Sequence, residues 1–182
     1  METSVSLIKI AIVGPESTGK STISEALARH YDTVCVPEYA REYCRNLDRQ
    51  YTLQDELNIF YGQVALERSL RPLARHGLLF CDTTFLTVKV WCDHLFGHTP
   101  SEVLQALTEV QYDYYLLMDI DLPWEDDPLR DFPEDREHFM EIWRNELRAI
   151  GADFEEVSGL GAQRFENALA ATERFLRRNR RR

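Results

Sequence analysis

Gly14-Pro15-Glu16-Ser17-Thr18-Gly19-Lys20-Ser21 is the stretch on which the reading of this chain turns. It spells G-x-x-x-x-G-K-[ST]. The apolar run Leu7–Val13 precedes it and reads as a buried strand. Lys20–His30 follows, with Ile23, Ala26 and Leu27 at helical spacing. In a strand, glycine-rich loop and helix taken in that order, consecutive backbone N–H groups turn inward, and the helix adds the positive end of its dipole. What such a loop holds is a row of phosphates. Gly14, Glu16, Ser17, Thr18, Gly19, Lys20, Ser21 and Thr22 are therefore expected around ATP or another nucleoside triphosphate, as cofactor-binding residues. Lys20 should reach the β- and γ-phosphates, and the Ser21 hydroxyl should bind Mg²⁺.

Outward from the loop, short apolar runs alternate with helical patterns. Thr33–Val36, Leu78–Cys81, Tyr114–Met118 and Phe154–Val157 read as strands. Helical stretches run from about Ala40, from Thr52 to about Arg75, over Phe85–Phe96, over Arg136–Ile150 and over Ala162–Arg178. Thr52 and Asp55 stand at capping-box spacing, Gly77 and Gly97 punctuate C-termini, and Thr99-Pro100 reads as N-cap and first residue of a further helix. Five strands joined by helical crossovers predict an α/β architecture, a five-stranded parallel sheet with helices on both faces. Residues 121–136, rich in proline and acids, read as a lid. No repeat or linker divides the 182 residues, so one domain is expected.

In such sheets ligands sit beyond the carboxyl ends of the strands. Gly14, Glu38, Asp82 and Asp119 each follow a strand and should converge on one rim. Asp82 suits Mg²⁺, or alternatively the N-cap of the following helix. Glu38 could take the proton of an acceptor hydroxyl while Arg41 orients it, or the two form a solvated ion pair. Trp124 lies in an acidic loop, where its indole could stack on a planar ring, more strongly on a cationic one, or could anchor the loop in the core. Arg130 and Arg136 could neutralise a transferring phosphoryl group or form surface salt bridges. Gly159 and Gly161, after the last strand, are expected to meet the adenine through their backbone. The stripe Leu57, Phe60, Tyr61, Val64 reads as core. Cys92, His94 and His98 lie close in sequence, but the helix ends at Gly97 and no second cluster supports a metal there.

Composition bounds the partners. Lys plus Arg number 21 against 31 Asp plus Glu, a net charge of −10. Such a surface repels nucleic acid. No run approaches the about 18 apolar residues of a membrane span, and Met1–Ser4 lacks the basic start of a signal peptide. Four cysteines without a C-x-x-C pair read as reduced thiols of a cytoplasmic protein. The basic run Arg174–Arg182 suits a helix C-terminus and then a solvated tail. A homo-oligomer is compatible with these features.

Four blocks taken together resemble one family. They are Gly14–Ser21 with its internal Pro-Glu-Ser-Thr, Val36-Pro37-Glu38-Tyr39-Ala40-Arg41-Glu42-Tyr43, Phe80-Cys81-Asp82-Thr83 and Asp119-Ile120-Asp121-Leu122-Pro123-Trp124. In this order they resemble the nicotinamide riboside kinase domain of NadR-type proteins, over about residues 7–170. The resemblance implies a P-loop NTPase/kinase fold and ATP-dependent phosphorylation of the 5′-hydroxyl of nicotinamide riboside, a step of NAD salvage. It implies Lys20, Ser21 and Asp82 at ATP and Mg²⁺, and Glu38, Tyr39, Arg41, Asp82 and Trp124 at the riboside. Arg130 and Arg136 become lid residues. Glu38 is preferred as base, with Asp82 second. The length holds neither the adenylyltransferase nor the DNA-binding domain of the larger family members, so neither activity is carried over. A deoxynucleoside or nucleoside monophosphate kinase, and a nucleotide-dependent switch, remain as alternatives.

Overall fold

Side-chain alternation sets the core. The structure, a computed structural model, describes residues 7–109 and 112–180. The readings of Met1–Ser4, Arg181 and Arg182 lie outside the described residues. In strand β1 (Ile8–Val13), Ile10 and Ile12 face one side and Ala11 and Val13 the other, all fully buried. A strand buried on both faces belongs inside a parallel sheet. β1 pairs in parallel with β3 (Leu78–Asp82) on one side and β4 (Tyr114–Met118) on the other. β2 (Cys35–Val36) and β5 (Phe154–Val157) form the edges, giving the order β2-β3-β1-β4-β5, all parallel. This is the P-loop kinase fold.

Helices α1 (Lys20–His30) and α7 (Ala162–Asn179) cover one face through Ile23, Leu27, Ala168 and Phe175. α4 (Phe85–Phe96) and α6 (Arg136–Ala149) cover the other through Leu86, Val90, Met140 and Trp143. A third cluster lies beside the strand ends, where α2 (Tyr39–Arg45), α3 (Leu53–Leu70) and α5 (Ser101–Glu109) meet α4. It gives the rim a wall that the sheet alone lacks.

Four expectations change in detail. α3 ends at Leu70, not Arg75, because Pro72 opens a 3-10 turn (Arg71–Leu73) and Arg75 then bridges to Leu78. Pro100, not Thr99, precedes α5 directly, its carbonyl accepting the Val103 and Leu104 N–H groups, and the Thr99 hydroxyl lies against the Lys89 carbonyl and Asp93 of α4. Tyr61 is 53% exposed; the buried side of α3 is Ile59, Phe60 and Gln63 together with Glu56. The basic end of the chain is helical to Asn179, and Arg174 and Arg178 pair with Glu155 and Asp153. The Thr52–Asp55 capping box is present, with the Thr52 N–H donating to Asp55 at 2.7 Å.

Gly62 tests the packing of this wall. A Cβ at Gly62 would fall inside the ring of Tyr39, which lies flat on α3. Gly→Ala in a helix ordinarily stabilises by about 1 kcal/mol. Gly62→Ala should instead destabilise by about 1–3 kcal/mol, read as a lowered urea midpoint. A raised midpoint would show that the Tyr39 ring yields.

Candidate active site

The loop between β1 and α1 is shaped by close approach. Gly14 has φ 135°, and a Cβ there would lie 2.8 Å from the Met118 carbonyl oxygen, so only glycine fits. Gly19, at φ 74°, starts α1. The Thr18 hydroxyl and the Lys20 ammonium both donate to the Pro15 carbonyl, at 2.8 and 2.7 Å. Arg164 of α7 braces the loop from behind. Its Nε and Nη2 donate to the Thr18 carbonyl at 3.2 and 2.9 Å, and Nη2 also reaches the Asp119 carbonyl at 2.6 Å. Its Nη1 donates to Asp121 at 2.5 Å and to the Gly159 carbonyl at 3.0 Å. One guanidinium thus ties together the loops after β1, β4 and β5. The sequence signal for it existed: a cation in the first turn of a helix opposes the dipole and needs another reason to be there.

Residues 121–136 fold down over the loop. The Glu125 N–H donates to the Ser17 hydroxyl at 2.9 Å. Arg130 donates to that hydroxyl at 3.3 Å and to the Glu125 carbonyl at 2.5 Å. The N–H groups of Asp131 and Phe132 donate to Glu16, at 3.2 and 3.4 Å. Burial, the largest influence on Glu16, raises its pKa. The Phe132 ring closes the segment against His94 and Phe139.

Beneath this cover lies a cavity of about 910 Å³. It begins at the phosphate loop and runs past Glu38 and Arg130 into a pocket between α2, α3 and α4. Gly14, Glu16, Ser17, Thr18, Gly19, Lys20, Ser21 and Thr22 all bound it, as do Arg41 and Gly161. Asp82 stands behind the wall, 3% exposed, with Oδ1 unpartnered. Burial pushes its carboxyl up to about 6, Glu38 adds to this, and the Ser21 hydroxyl and Lys20 oppose it. Burial lowers the Lys20 ammonium, against the attraction of Glu38, Asp82 and Glu16. An unpaired buried carboxylate oxygen beside a serine hydroxyl is a hard-oxygen donor set, and it fits Mg²⁺. The N-cap alternative for Asp82 falls away, because Thr84 accepts the Leu86 N–H at 3.1 Å and caps α4 itself.

Several expected residues are placed elsewhere. Trp124 is not on the cavity wall: its indole N–H donates to Asp126 at 2.9 Å, and its ring lies 6.0 Å from the Arg136 guanidinium. It is half-buried and anchors no core. Tyr39 packs its ring on α3, and its N–H donates to Gln63 at 2.8 Å. Arg136 holds the Leu122 and Ser17 carbonyls, at 2.8 and 3.2 Å, and does not reach the cavity. The Gly159 N–H is taken by Asp121 at 2.5 Å, which removes it from adenine contact. The Asp119 carboxylate accepts the neighbouring Ile120 N–H at 2.7 Å rather than joining the rim. Arg41 pairs not with Glu38 but with Asp127 at 3.0 Å, joining α2 to the 121–136 segment.

The pocket's aromatic and acidic groups come from residues the motifs did not single out: Tyr51, Glu56 and Trp91. Glu56 is 3% exposed. Burial pushes its carboxyl up to about 7, Asp55 adds to this, and a hydrogen bond with the Tyr51 hydroxyl opposes it. A glutamate three and four residues before Ile59 and Phe60, on the apolar side of a helix, was the available signal.

Comparison with known proteins follows the same lines. The family model AAA_28, described as an AAA domain, matches residues 9–164. The trifunctional NAD biosynthesis/regulator protein NadR of Salmonella typhimurium (strain LT2) is 27% identical over 156 residues, covering 81% of this chain and 37% of that protein. The chain therefore spans little more than a third of the curated relative's length. A crystal structure of NadR protein in complex with NR superposes with a TM-score of 0.74 at 23% identity, covering 93% of this chain and 49% of that one. Deoxyadenosine kinase from M. mycoides, with dATP bound, has a TM-score of 0.62 at 14% identity, covering 91% and 99%. Both share the fold.

Two outcomes test the geometry. Arg164→Ala strands the Thr18 and Asp119 carbonyls, and should cost about 3 kcal/mol of stability and weaken nucleotide binding at least tenfold, measured by denaturation and titration. Unchanged nucleotide affinity would remove Arg164 as the brace. For Glu56 the folded carboxyl sits above its unfolded value, so the folded state holds the extra proton between about pH 4.5 and 7. Stability is lost as pH rises through that window. Glu56→Gln should therefore melt about 5 °C above the parent at pH 8, the gap closing by pH 4.

Proposed function

The chain belongs to the AAA-domain family whose model spans residues 9–164, and from that premise we propose that it is an ATP-dependent kinase of nicotinamide riboside. The product is nicotinamide mononucleotide, and the route is NAD salvage. Residues 7–180 act as one kinase domain, with 121–136 as its lid. The carrying observation is the continuous cavity from the phosphate loop past Glu38 into an aromatic, acid-bearing pocket. The name of the Salmonella relative, an NAD biosynthesis/regulator protein, supports the route, and the NR bound in the superposed NadR structure supports the acceptor.

The chemistry follows from the side chains. The loop N–H groups and Lys20 hold the β- and γ-phosphates. Ser21 and Asp82 would hold Mg²⁺, which when bound offsets phosphate charge. The riboside 5′-hydroxyl attacks the γ-phosphorus in line, its proton passes to Glu38, and the bond to the ADP oxygen breaks. Arg130, held over Ser17, faces the phosphate end and can meet the charge that develops there. Arg41, committed to Asp127, leaves the acceptor pocket without an unpaired guanidinium among the described residues, which favours a nucleoside over a nucleoside monophosphate. Four free thiols suit a reducing compartment, so we assign the reaction to the cytoplasm.

A coupled assay of ADP release with nicotinamide riboside, deoxyadenosine and thymidine monophosphate tests this. Turnover is expected with the riboside. Turnover of another acceptor alone overturns the substrate, and ATP binding without any phosphorylated product points to a switch. Lys20→Ala should lose at least 100-fold in kcat/KM. Glu38→Gln should lower kcat about 100-fold or more while the KM for ATP stays within a few-fold.

A further inference from the structure

The acceptor pocket ends on a carboxyl group that the proposed phosphoryl transfer does not use. Glu56 stands in the first turn of α3 on the wall of the cavity, which Cys44 and Leu47, Ile59 of its own helix, and Val88 and Leu95 of α4 also line. These neighbours are apolar or weakly polar. Among the described residues no ion pair reaches Glu56, although the adjacent Asp55 is gripped by Arg49 and Tyr43. A carboxylate left without a cation in such a place is costly, and the cost disappears if the ligand brings the cation.

We propose that Glu56 is the specificity-determining residue of the acceptor pocket, the counter-charge for a positively charged aromatic ring. This rests on the nucleoside-kinase reading and refines it: the pocket takes a pyridinium-type nucleoside in preference to a neutral one. Trp91 and Tyr51 line the same pocket, the latter stacked against Phe96, and their ring faces suit the same cation. Cation binding then drives proton release from Glu56.

The cysteine, tyrosine and aspartate side chains beside Glu56 titrate far from neutrality. From α2, burial holds the Cys44 thiol up at about 11. From α4, burial holds Cys92 up at about 12. Burial raises the Tyr51 hydroxyl far above its ordinary value, and Arg49 holds Asp55 far below. Asp82 stands behind the phosphate end rather than on this pocket's wall, and the Glu56→Gln variant, which leaves it in place, separates its share of any charge effect.

The test uses the full chain and two probes that differ in charge, 1-methylnicotinamide cation and neutral nicotinamide. Calorimetric titration at pH 7 in buffers of different ionisation enthalpy should show about half a proton released per cation bound and none per neutral ring. Affinity for the cation should rise about tenfold from pH 6 to pH 8, while that for the neutral ring does not. Glu56→Gln should lower the cation-to-neutral affinity ratio at least tenfold and abolish the proton release. Tyr51→Phe, which removes a donor to the carboxylate, should move the midpoint of the pH dependence upward. Equal proton counts for the two probes, or an unchanged ratio in Glu56→Gln, overturn the assignment. If Glu56→Gln does not fold, the proton count of the parent protein decides alone. Riboside turnover without these charge effects defeats this inference only. Charge effects without riboside turnover defeat the proposed substrate and leave the pocket's charge preference standing.

Discussion

A loop that turns its N–H groups toward a ligand turns carbonyls away from it, and every such carbonyl needs a donor. Here that requirement is met by a few side chains. The Pro15 carbonyl takes the Thr18 hydroxyl and the Lys20 ammonium, and the Thr18 carbonyl takes two nitrogens of Arg164. Because Arg164 also holds the ends of β4 and β5, the loop's conformation is bound to the register of the sheet. The phosphate nest is therefore a property of the whole sheet end rather than of eight residues.

The same corner concentrates charge in a protein with a net charge of −10. Lys20, Arg130, Arg136 and Arg164 stand near Glu16, Glu38, Asp82 and Asp121. The cations are largely committed to loop carbonyls and to Ser17. Asp82 stays partly unsatisfied, with one oxygen unpartnered and its carboxyl raised toward neutrality. A site with carboxylate to spare next to a phosphate nest suits a divalent cation. Residues 121–136 cover this corner, since two backbone bonds to Glu16 and one to Ser17 seat them directly on the loop.

The pocket beyond Glu38 follows a different rule. Its walls come from α2, α3 and α4, which meet one another through Ile59, Phe60, Phe85 and Val88, in a cluster apart from the two that cover the sheet. The lid reaches this wall by the Arg41–Asp127 pair, and Phe132 reaches α4 and α6 through its aromatic neighbours. Residues 121–136 and the wall of this pocket are thus joined by the same contacts.

What the sequence determined by itself is local. The order of strands and helices, the glycine-rich loop, the boundaries of Phe85–Phe96 and Tyr114–Met118, and Glu38 at a strand end all follow from patterns of a few residues: periodicity, capping and glycine punctuation. Tertiary structure alone decided which side chains share a space. Trp124 and Trp91 are equally conspicuous as letters, yet the first bonds to Asp126 outside the cavity and the second lines it, because lid direction and helix rotation are set by distant packing. Glu56 and Arg164 became legible for the same reason. A charge on an apolar helix face signals a requirement, but only the fold supplies the carbonyls Arg164 satisfies and the pocket Glu56 closes.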